Sequence, residues 1–472
     1  MNWINTTVGE YCPFIYGKGL PKTKRIAGDV PVYGSNGCVD CHTDSYVKGP
    51  GIIIGRKGSV GAVHISEIPF WPIDTSFYLE KDTIEELKFT YYLLKSLGLE
   101  NMNSDSAVPG LNRENAHVLP IRIPELKEDR EKLGEWISVY DKKIELNRQT
   151  NQTLEQIAQT IFKSWFVGFD PVKAKVIIKE KGGNELAQSL AAQAIICGAM
   201  TLEQIQELEN DYRGLEDKIH PLITEKFPNE IGLDCWSPET LKKAADLFPD
   251  ALVESELGEI PEGWEVDRMI DLCESTDYVA NGSFASLKEN VTYLDEGYAV
   301  LVRLTDYNAG WSGKFNHVDE HSYKFLKKSR LDVGDIVISN VGANAGTVFR
   351  VPDLGKPMTL GPNSIVIKSE INRLYLFYYL TSHFGQHQLD GIKGGSAQPK
   401  FNKTDFRSLM LIKPSDNILQ QFNIVIRSIE NTCFLNNEMN RNMADMRDEL
   451  LPKLLSGELE LNITQTEFEK TA

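Results

Sequence analysis

From Leu133 to Trp165 one set of residues recurs at steps of four and three: Leu133, Ile137, Tyr140, Ile144, Asn147, Asn151, Leu154, Ala158, Ile161 and Trp165. The same steps return near the far end, through Phe422, Ile426, Ile429, Cys433, Asn436, Asn440, Met443, Arg447, Leu450 and Leu454. This spacing is the seam of a coiled coil. It commits both stretches to long helices with one face in need of a partner. Each seam carries two polar layers at the same place, Asn147 with Asn151 and Asn436 with Asn440. A seam Asn lowers stability but fixes register when it meets another Asn. Matching layers therefore predict one intramolecular pair; two unrelated amphipathic helices are the plainer alternative.

Each seam follows a copy of the same block. Residues 106–124 (SAVPGLNRENAHVLPIRIP) align without a gap to 396–414 (SAQPKFNKTDFRSLMLIKP). Upstream, Gly51 to Ile65 reads as two strands around a Gly-punctuated turn, Arg56 to Ser59, and Gly334 to Val351 repeats that order. A short amphipathic helix, Glu85 to Leu97, then matches the stretch around Leu374, Tyr378, Tyr379 and Leu380. The chain reads as a tandem duplication: head, helix, head, helix. Residues 176–250 have no counterpart. They read as helical, with Thr201 capping a run through Leu202, Ile205, Leu208, Tyr212, Leu215 and Ile219, and Ser237-Pro238 opening another helix.

Length and charge bound the rest. A chain of 472 residues holds two to four domains. Its net charge of -17 argues against nucleic acid at first sight. The distribution matters more than the sum. Residues 1–124 carry 12 basic and 13 acidic side chains and 255–414 carry 17 and 20, whereas 125–254 carry 16 and 24 and 415–472 carry 5 and 10. The acid sits on the helices and the middle, leaving two nearly neutral heads that can present a basic face. No signal peptide is visible, and the most apolar window, Ala187 to Met200, is too short to span a bilayer. Seven Cys at irregular spacing read as reduced thiols, so a cytoplasmic protein without a membrane partner is expected.

Catalytic signatures are missing. There is no phosphate-binding G-x-x-x-x-G-K-[ST] loop, no G-x-G-x-x-G between strand and helix, no H-E-x-x-H and no Asn-Pro-Pro-aromatic run. Cys38-x-x-Cys41-His42 could combine with Cys12 around zinc, but an ordinary loop is the expected reading, and no metal site is assigned. The repeated turns offer better candidates. Arg56, Lys57 and Ser59 lie in the Gly-flanked turn, with Asn340 and Asn344 in the equivalent turn of the second head. Asn112-Arg113 and Asn402-Lys403 occupy matching positions. Lys18, Lys22, Lys24 and Arg25 form a basic run, as do Lys324, Lys327, Lys328 and Arg330. Asn36, Arg303 and Lys400 complete the set of expected DNA contacts. Arg reads guanine bidentately, Asn reads adenine, and Lys mostly neutralises phosphate; a solvated surface charge is the bland account of any one of them.

Three further segments, IFKSWFVGFDPVKAK (161–175), SELGEIPEGW (255–264) and LLPKLLSGEL (450–459), resemble conserved-region motifs of the specificity (S) subunits of type I restriction–modification enzymes. GKGLPK (17–22), VYGSNG (32–37) and IIIGRKGSVG (52–61) resemble a common type of target-recognition domain. Departures are Cys38 and Cys41 after VYGSNG, the long 176–250 segment, and a second head without GRKGS. The resemblance implies an α+β chain in which two mixed α/β target-recognition domains are separated by two long helices forming an intramolecular antiparallel coiled coil. The implied boundaries are 1–124 for the first recognition domain, 125–175 for the central conserved helix and 176–254 for the helical insertion. The second recognition domain takes 255–414, the distal conserved helix 415–457 and a tail 458–472. Each head would read one half of a bipartite, asymmetric double-stranded DNA site. Two methyltransferase subunits would dock on the helices, with Ile137, Tyr140, Ile144, Asn147, Asn151, Trp165, Phe166, Ile429, Asn436, Asn440 and Leu454 as coiled-coil or docking residues. Restriction motor-nuclease subunits would join them. The chain itself would hold no cofactor; S-adenosylmethionine, ATP and Mg would belong to the partners. The 33-residue seam spans about 50 Å, enough to hold readers in grooves roughly 34 Å apart. A self-contained methyltransferase or nuclease, and a scaffold that binds only proteins, are the competing expectations.

Overall fold

The structure, a computed structural model, describes residues 1–102, 110–208, 214–222, 224, 237–311, 313–395 and 398–459. It divides into two units, Met1–Thr150 with Leu435–Ala472, and Asn151–Phe434.

In the first unit, strand Trp3–Thr7 pairs antiparallel with Pro120–Pro124 and ties the two ends of the head together. A four-stranded antiparallel sheet follows in the order Ile15–Tyr16, Ser76–Glu80, Gly51–Gly55, Val63–Ser66. The run Ile52, Ile53, Ile54 is buried on both faces, as a continuous apolar β-branched strand requires. Helix Ile84–Ser96, capped by Thr83, lays Leu87, Phe89, Leu93 and Leu94 into one core with Ile52, Ile54, Phe77 and Leu79. A second sheet orders Gly37–His42, Val30–Gly34 and Trp71–Pro72, the last two parallel. Leu133 and Ile137 of the central helix and Leu451, Leu454 and Leu455 of the distal helix enter the same core. Gly134 makes the crossing close: a Cβ there would stand 2.2 Å from the Glu85 carbonyl oxygen and 2.6 Å from the Phe89 nitrogen.

The two seams are single helices, Lys127–Phe166 and Asp416–Leu455, of 40 residues each. In the first unit Asn147 Nδ2 donates to Asn440 Oδ1 at 2.9 Å. Nearby, Asp141 takes the Arg447 guanidinium and the Tyr92 hydroxyl, the latter at 2.6 Å. In the second unit Asn151 Nδ2 donates to the Cys433 carbonyl at 3.2 Å, and Trp165 and Phe166 pack on Phe422 at 6.0 and 5.0 Å between ring centroids. Residue numbers rise along one helix as they fall along the other, so the pair is antiparallel and intramolecular. The expected coiled-coil residues lie along this pair and in the cores at its ends. Ile137, Ile144, Asn147, Trp165, Phe166, Ile429 and Leu454 are all buried, because the seam and the chain's own cores consume them. Tyr140, Asn151, Asn436 and Asn440 are half-buried along the pair.

The second unit repeats the head. Its four-stranded sheet has the same order and antiparallel pairing: Glu274–Asp277, Ser364–Lys368, Ile336–Ser339, Val348–Arg350. Strand Glu265–Arg268 pairs with Met410–Lys413 as Trp3–Thr7 does with Pro120–Pro124. Its second sheet is wider, with five strands, but keeps one parallel pair, Ala299–Val302 with Met358–Leu360. The start of the gapless repeat (Ser106, Ala107, Pro109, Ser396, Ala397) lies outside the described residues, as does the tail from residue 460.

The described residues of the segment without a counterpart fold into this unit. Helices Asp170–Glu180, Glu185–Ile196 and Pro238–Leu247 bury Val172, Ile178, Ala191, Ala194 and Leu241 in the core that also holds Trp165 and Phe422. Ser237 caps the last of these helices. Thr201 caps a helix through a full capping box, but that helix is only Leu202–Gln206. A separate helix, Gly214–Pro221, carries Leu215 and Ile219, so the expected single run is broken; Tyr212 lies outside the described residues. No helix of the described residues is long and apolar enough to cross a membrane.

Candidate nucleic-acid interface

In the first head the Gly-rich turn is held from three sides. The backbone nitrogens of Arg56 and Lys57 donate to the Thr75 carbonyl at 2.9 and 3.1 Å, and Leu111 donates to the Arg56 carbonyl at 2.9 Å. Ser59 Oγ donates to Asn36 Oδ1 at 3.2 Å, joining the neighbouring turn. The glycines permit this closeness: a Cβ on Gly55 would lie 1.9 Å from the Ser59 carbonyl oxygen. Two arginines converge at the rim. The guanidinium carbons of Arg56 and Arg113 stand 4.9 and 5.0 Å from the ring centroid of Tyr16, which is 46% exposed at the end of its strand. A ring face attracts a guanidinium and orients its plane. Arg113 also pairs with Glu114 at 2.8 Å, and Arg56 reaches the Asp74 carbonyl at 3.3 Å. Lys57 is exposed beside them.

The second head brackets its turn in the same way. Asn340 donates from its backbone nitrogen to the Asn363 carbonyl and accepts from Phe401, each at 3.1 Å. Lys57 bridges Gly110 in one head and Val341 bridges Lys400 in the other. The strand register makes Asp277 the equivalent of Tyr16, since each lies across one central residue, Ile365 or Phe77, from Ile338 or Ile54. The chemistry differs at every matched point. Asn340 stands for Arg56; its Nδ2 donates to the Phe401 carbonyl at 3.1 Å while its buried Oδ1 has no partner. Lys403 stands for Arg113 but is held by Asp277 at 3.1 Å. Asn344 and Lys400 are exposed on the turn.

Several expected contacts have structural work. Asn112 Oδ1 accepts from the backbone nitrogens of Glu114 and Asn115 at 2.9 and 3.2 Å, and Asn402 Oδ1 accepts from that of Asp405 at 2.8 Å. Both are N-caps of the short helices Arg113–His117 and Lys403–Arg407, which explains their coincidence across the repeat without any base. Arg25 leaves the basic run: its side chain, 8% exposed, holds the Leu20 carbonyl and Asp40. Arg303 is clamped on Asp306 at 2.7 Å at the start of helix Leu304–Asn308. Lys22 and Lys24 are exposed, and Lys18 extends over the Tyr46 ring at 5.0 Å. Among the described residues no three metal-ligating side chains converge. His42 is buried and its Nδ1 accepts from Ile26 at 3.0 Å, which takes it away from Cys38 and Cys41.

Tyr16 and Asp277 escaped the sequence reading. The aromatic in FIYGKGLPK, next to a basic run, was the available signal for Tyr16; nothing local marked Asp277. Behind the rim, Phe14 donates from its backbone nitrogen to His117 Nε2 at 2.8 Å. Burial, and then the Arg113 charge, hold that imidazole below its ordinary titration range. The equivalent second-head pair is Ser275 with Arg407, in which Arg407 Nε donates to Ser275 Oγ at 3.0 Å.

A family described as the type I restriction modification DNA specificity domain matches residues 1–156 and 261–440. The HindI specificity subunit of Haemophilus influenzae is 30% identical over 370 residues, covering 74% of this chain and 71% of that protein. The MjaIX specificity subunit of Methanocaldococcus jannaschii is 22% identical over 429 residues, covering 89% and 80%. The crystal structure of a type I S subunit from M. genitalium aligns over 96% of each chain, with 13% identity and a TM-score of 0.48. Two heads of one topology and two paired helices carrying these matched segments place the chain in a family: it belongs to the type I restriction–modification specificity subunits, the non-catalytic DNA-recognition components of those systems.

Proposed function

We propose that each head reads one half of a bipartite, asymmetric site in double-stranded DNA. The observation that carries this is the duplicated turn: one backbone frame presents different side chains at equivalent points. The first head offers Tyr16, Arg56, Lys57 and Arg113, with Asn36 and Ser59 behind them. The second offers Asn344 and Lys400, with Asn340 turned onto the Phe401 carbonyl and Lys403 tied to Asp277. Arginines suit guanine edges and phosphates, and a neutral amide suits adenine. The antiparallel helices serve as a spacer and as the post on which two methyltransferase subunits dock, with the motor-nuclease subunits joining for restriction. S-adenosylmethionine, ATP and Mg act in those partners, in the cytoplasm where the DNA lies. The domains follow the boundaries of the duplication, 1–124 and 255–414.

The test is reconstitution with the cognate methyltransferase, followed by sequencing of methylated adenines in a plasmid. A two-part motif with a fixed gap is expected. Arg56→Ala should alter or weaken only one part of it. A plasmid left unmethylated by an intact complex, or a motif read in a single contiguous block, would sink the proposal.

A further inference from the structure

Cys38 and Cys41 are the two exposed cysteines among the described residues; Cys12, Cys197 and Cys273 are buried and Cys433 is half-buried. In a regular strand residues three apart face opposite sides and lie about 10 Å apart, beyond the ~7 Å over which a disulfide can close. Strand Gly37–His42 is not regular. Tyr33 pairs with Cys38 and Val32 with Asp40, so Val39 is an extra, bulged residue. A bulge reverses the alternation of side chains beyond it. Cys38 and Cys41 are thereby brought to one face, and Cys38 Sγ curls back to the Asp40 carbonyl at 3.3 Å. The strand is the edge of its sheet, and it leads directly out of the turn bearing Asn36.

We infer that Cys38 and Cys41 form a redox-active dithiol that closes reversibly to an intramolecular disulfide beside the first head's turn. A low-molecular-weight disulfide such as glutathione disulfide is the oxidant. The Cys38 thiolate attacks one of its sulfurs, forming a mixed disulfide and releasing one glutathione. The Cys41 sulfur then displaces the second glutathione. The protein loses two electrons and two protons, and the oxidant leaves as two thiols. Desolvation, then the nearness of Cys38 and of the Asp40 and Asp29 carboxylates, keeps the Cys41 thiol above its usual range. An exposed disulfide at a distorted edge is easily reduced again, as a reversible device in a reducing compartment must be. Closure draws the strand in at Asp40, which Arg25 grips at 3.0 Å, and pulls on the turn that holds Asn36 against Ser59. This last coupling rests on the DNA reading proposed above.

The full chain, reduced and then treated with glutathione disulfide, should be quenched, alkylated and digested with trypsin. Residues 26–48 form one peptide containing both cysteines and no other. It should appear two hydrogens lighter and unalkylated, and phenylarsine oxide should protect it. In Cys41→Ser a mixed disulfide should accumulate on Cys38; in Cys38→Ser adduct formation should be slower. Two alkylated cysteines, or two separate glutathione adducts on the wild-type peptide, would overturn the dithiol. In the assembled complex, oxidation should lower site methylation about fivefold, the effect of losing one side-chain hydrogen bond. Reductant should restore it, and Cys38→Ser should not respond. A disulfide that forms without changing methylation refutes the coupling alone. A complex that methylates nothing in either state counts against the DNA reading, while the peptide result still decides the dithiol.

Discussion

The two heads share a frame and differ at its rim. Their four-stranded sheets have the same strand order, their Gly-rich turns are bracketed by equivalent backbone bonds, and their short helices are capped by equivalent asparagines, Asn112 and Asn402. Where the frame meets solvent, Tyr16 with Arg56 and Arg113 becomes Asp277 with Asn340 and Lys403. One rim gathers two guanidiniums around an aromatic ring; the other neutralises its matching cation with a carboxylate. The two matching asparagines hold backbone, and the rim residues that differ carry the surface chemistry. Divergence at fixed geometry gives one scaffold two chemically different rims.

The comparison breaks most readily at the arginines. Replacing Arg56 and Arg113 together by Ala should cut methylation by the reconstituted complex about 100-fold, at roughly 1–3 kcal/mol per specific contact. Lys403→Ala, removing a cation already paired, should cost less than about threefold. Equal losses in rate assays would show that the two rims do not differ as described. The contrast sharpens with Asp277→Asn, which releases Lys403. Non-specific DNA affinity should rise, and the slope of log affinity against log salt should steepen by about one phosphate contact; an unchanged slope would mean Lys403 does not reach DNA.

The caps should behave alike in both heads. Asn112→Ala and Asn402→Ala should each cost about 1 kcal/mol of stability, with Ser restoring most of it, and neither should change the methylated motif. A changed motif would return these residues to base reading. The smallest effect separates His117 from Arg407. Because the folded-state pKa of His117 lies below the ordinary imidazole value, the unfolded chain binds the proton more readily. Stability from this group is full above about pH 6.5 and declines as pH falls toward the folded value. Protonation also removes the acceptor that Phe14 uses. Denaturant midpoints of the wild type should fall slightly between pH 7.5 and 5.5, and His117→Gln should flatten that dependence.

The sequence by itself determined the seams, the duplication and the turns, because these rest on local rules. Heptad spacing, Gly-punctuated turns and N-cap residues leave marks within a few positions of where they act. It also set the Asn147 and Asn151 layer against that of Asn436 and Asn440; the structure decided that Asn147 meets Asn440. Tertiary structure alone decided which cations remain available. Arg25 looked like part of a basic run, yet Asp40, across a turn, consumes it; Arg303 and Lys403 meet Asp306 and Asp277. The Asn pair that matched across the copies turned out to be caps. Trp165 and Phe166, adjacent aromatics at a helix end, were buried by the 176–250 segment and the second head's core rather than left for a partner. Charge pairing and burial depend on residues that may be a hundred positions away, and no periodicity records them. The same holds for Cys38 and Cys41: their spacing is visible in the sequence, but only the bulge at Val39 puts both sulfurs on one face.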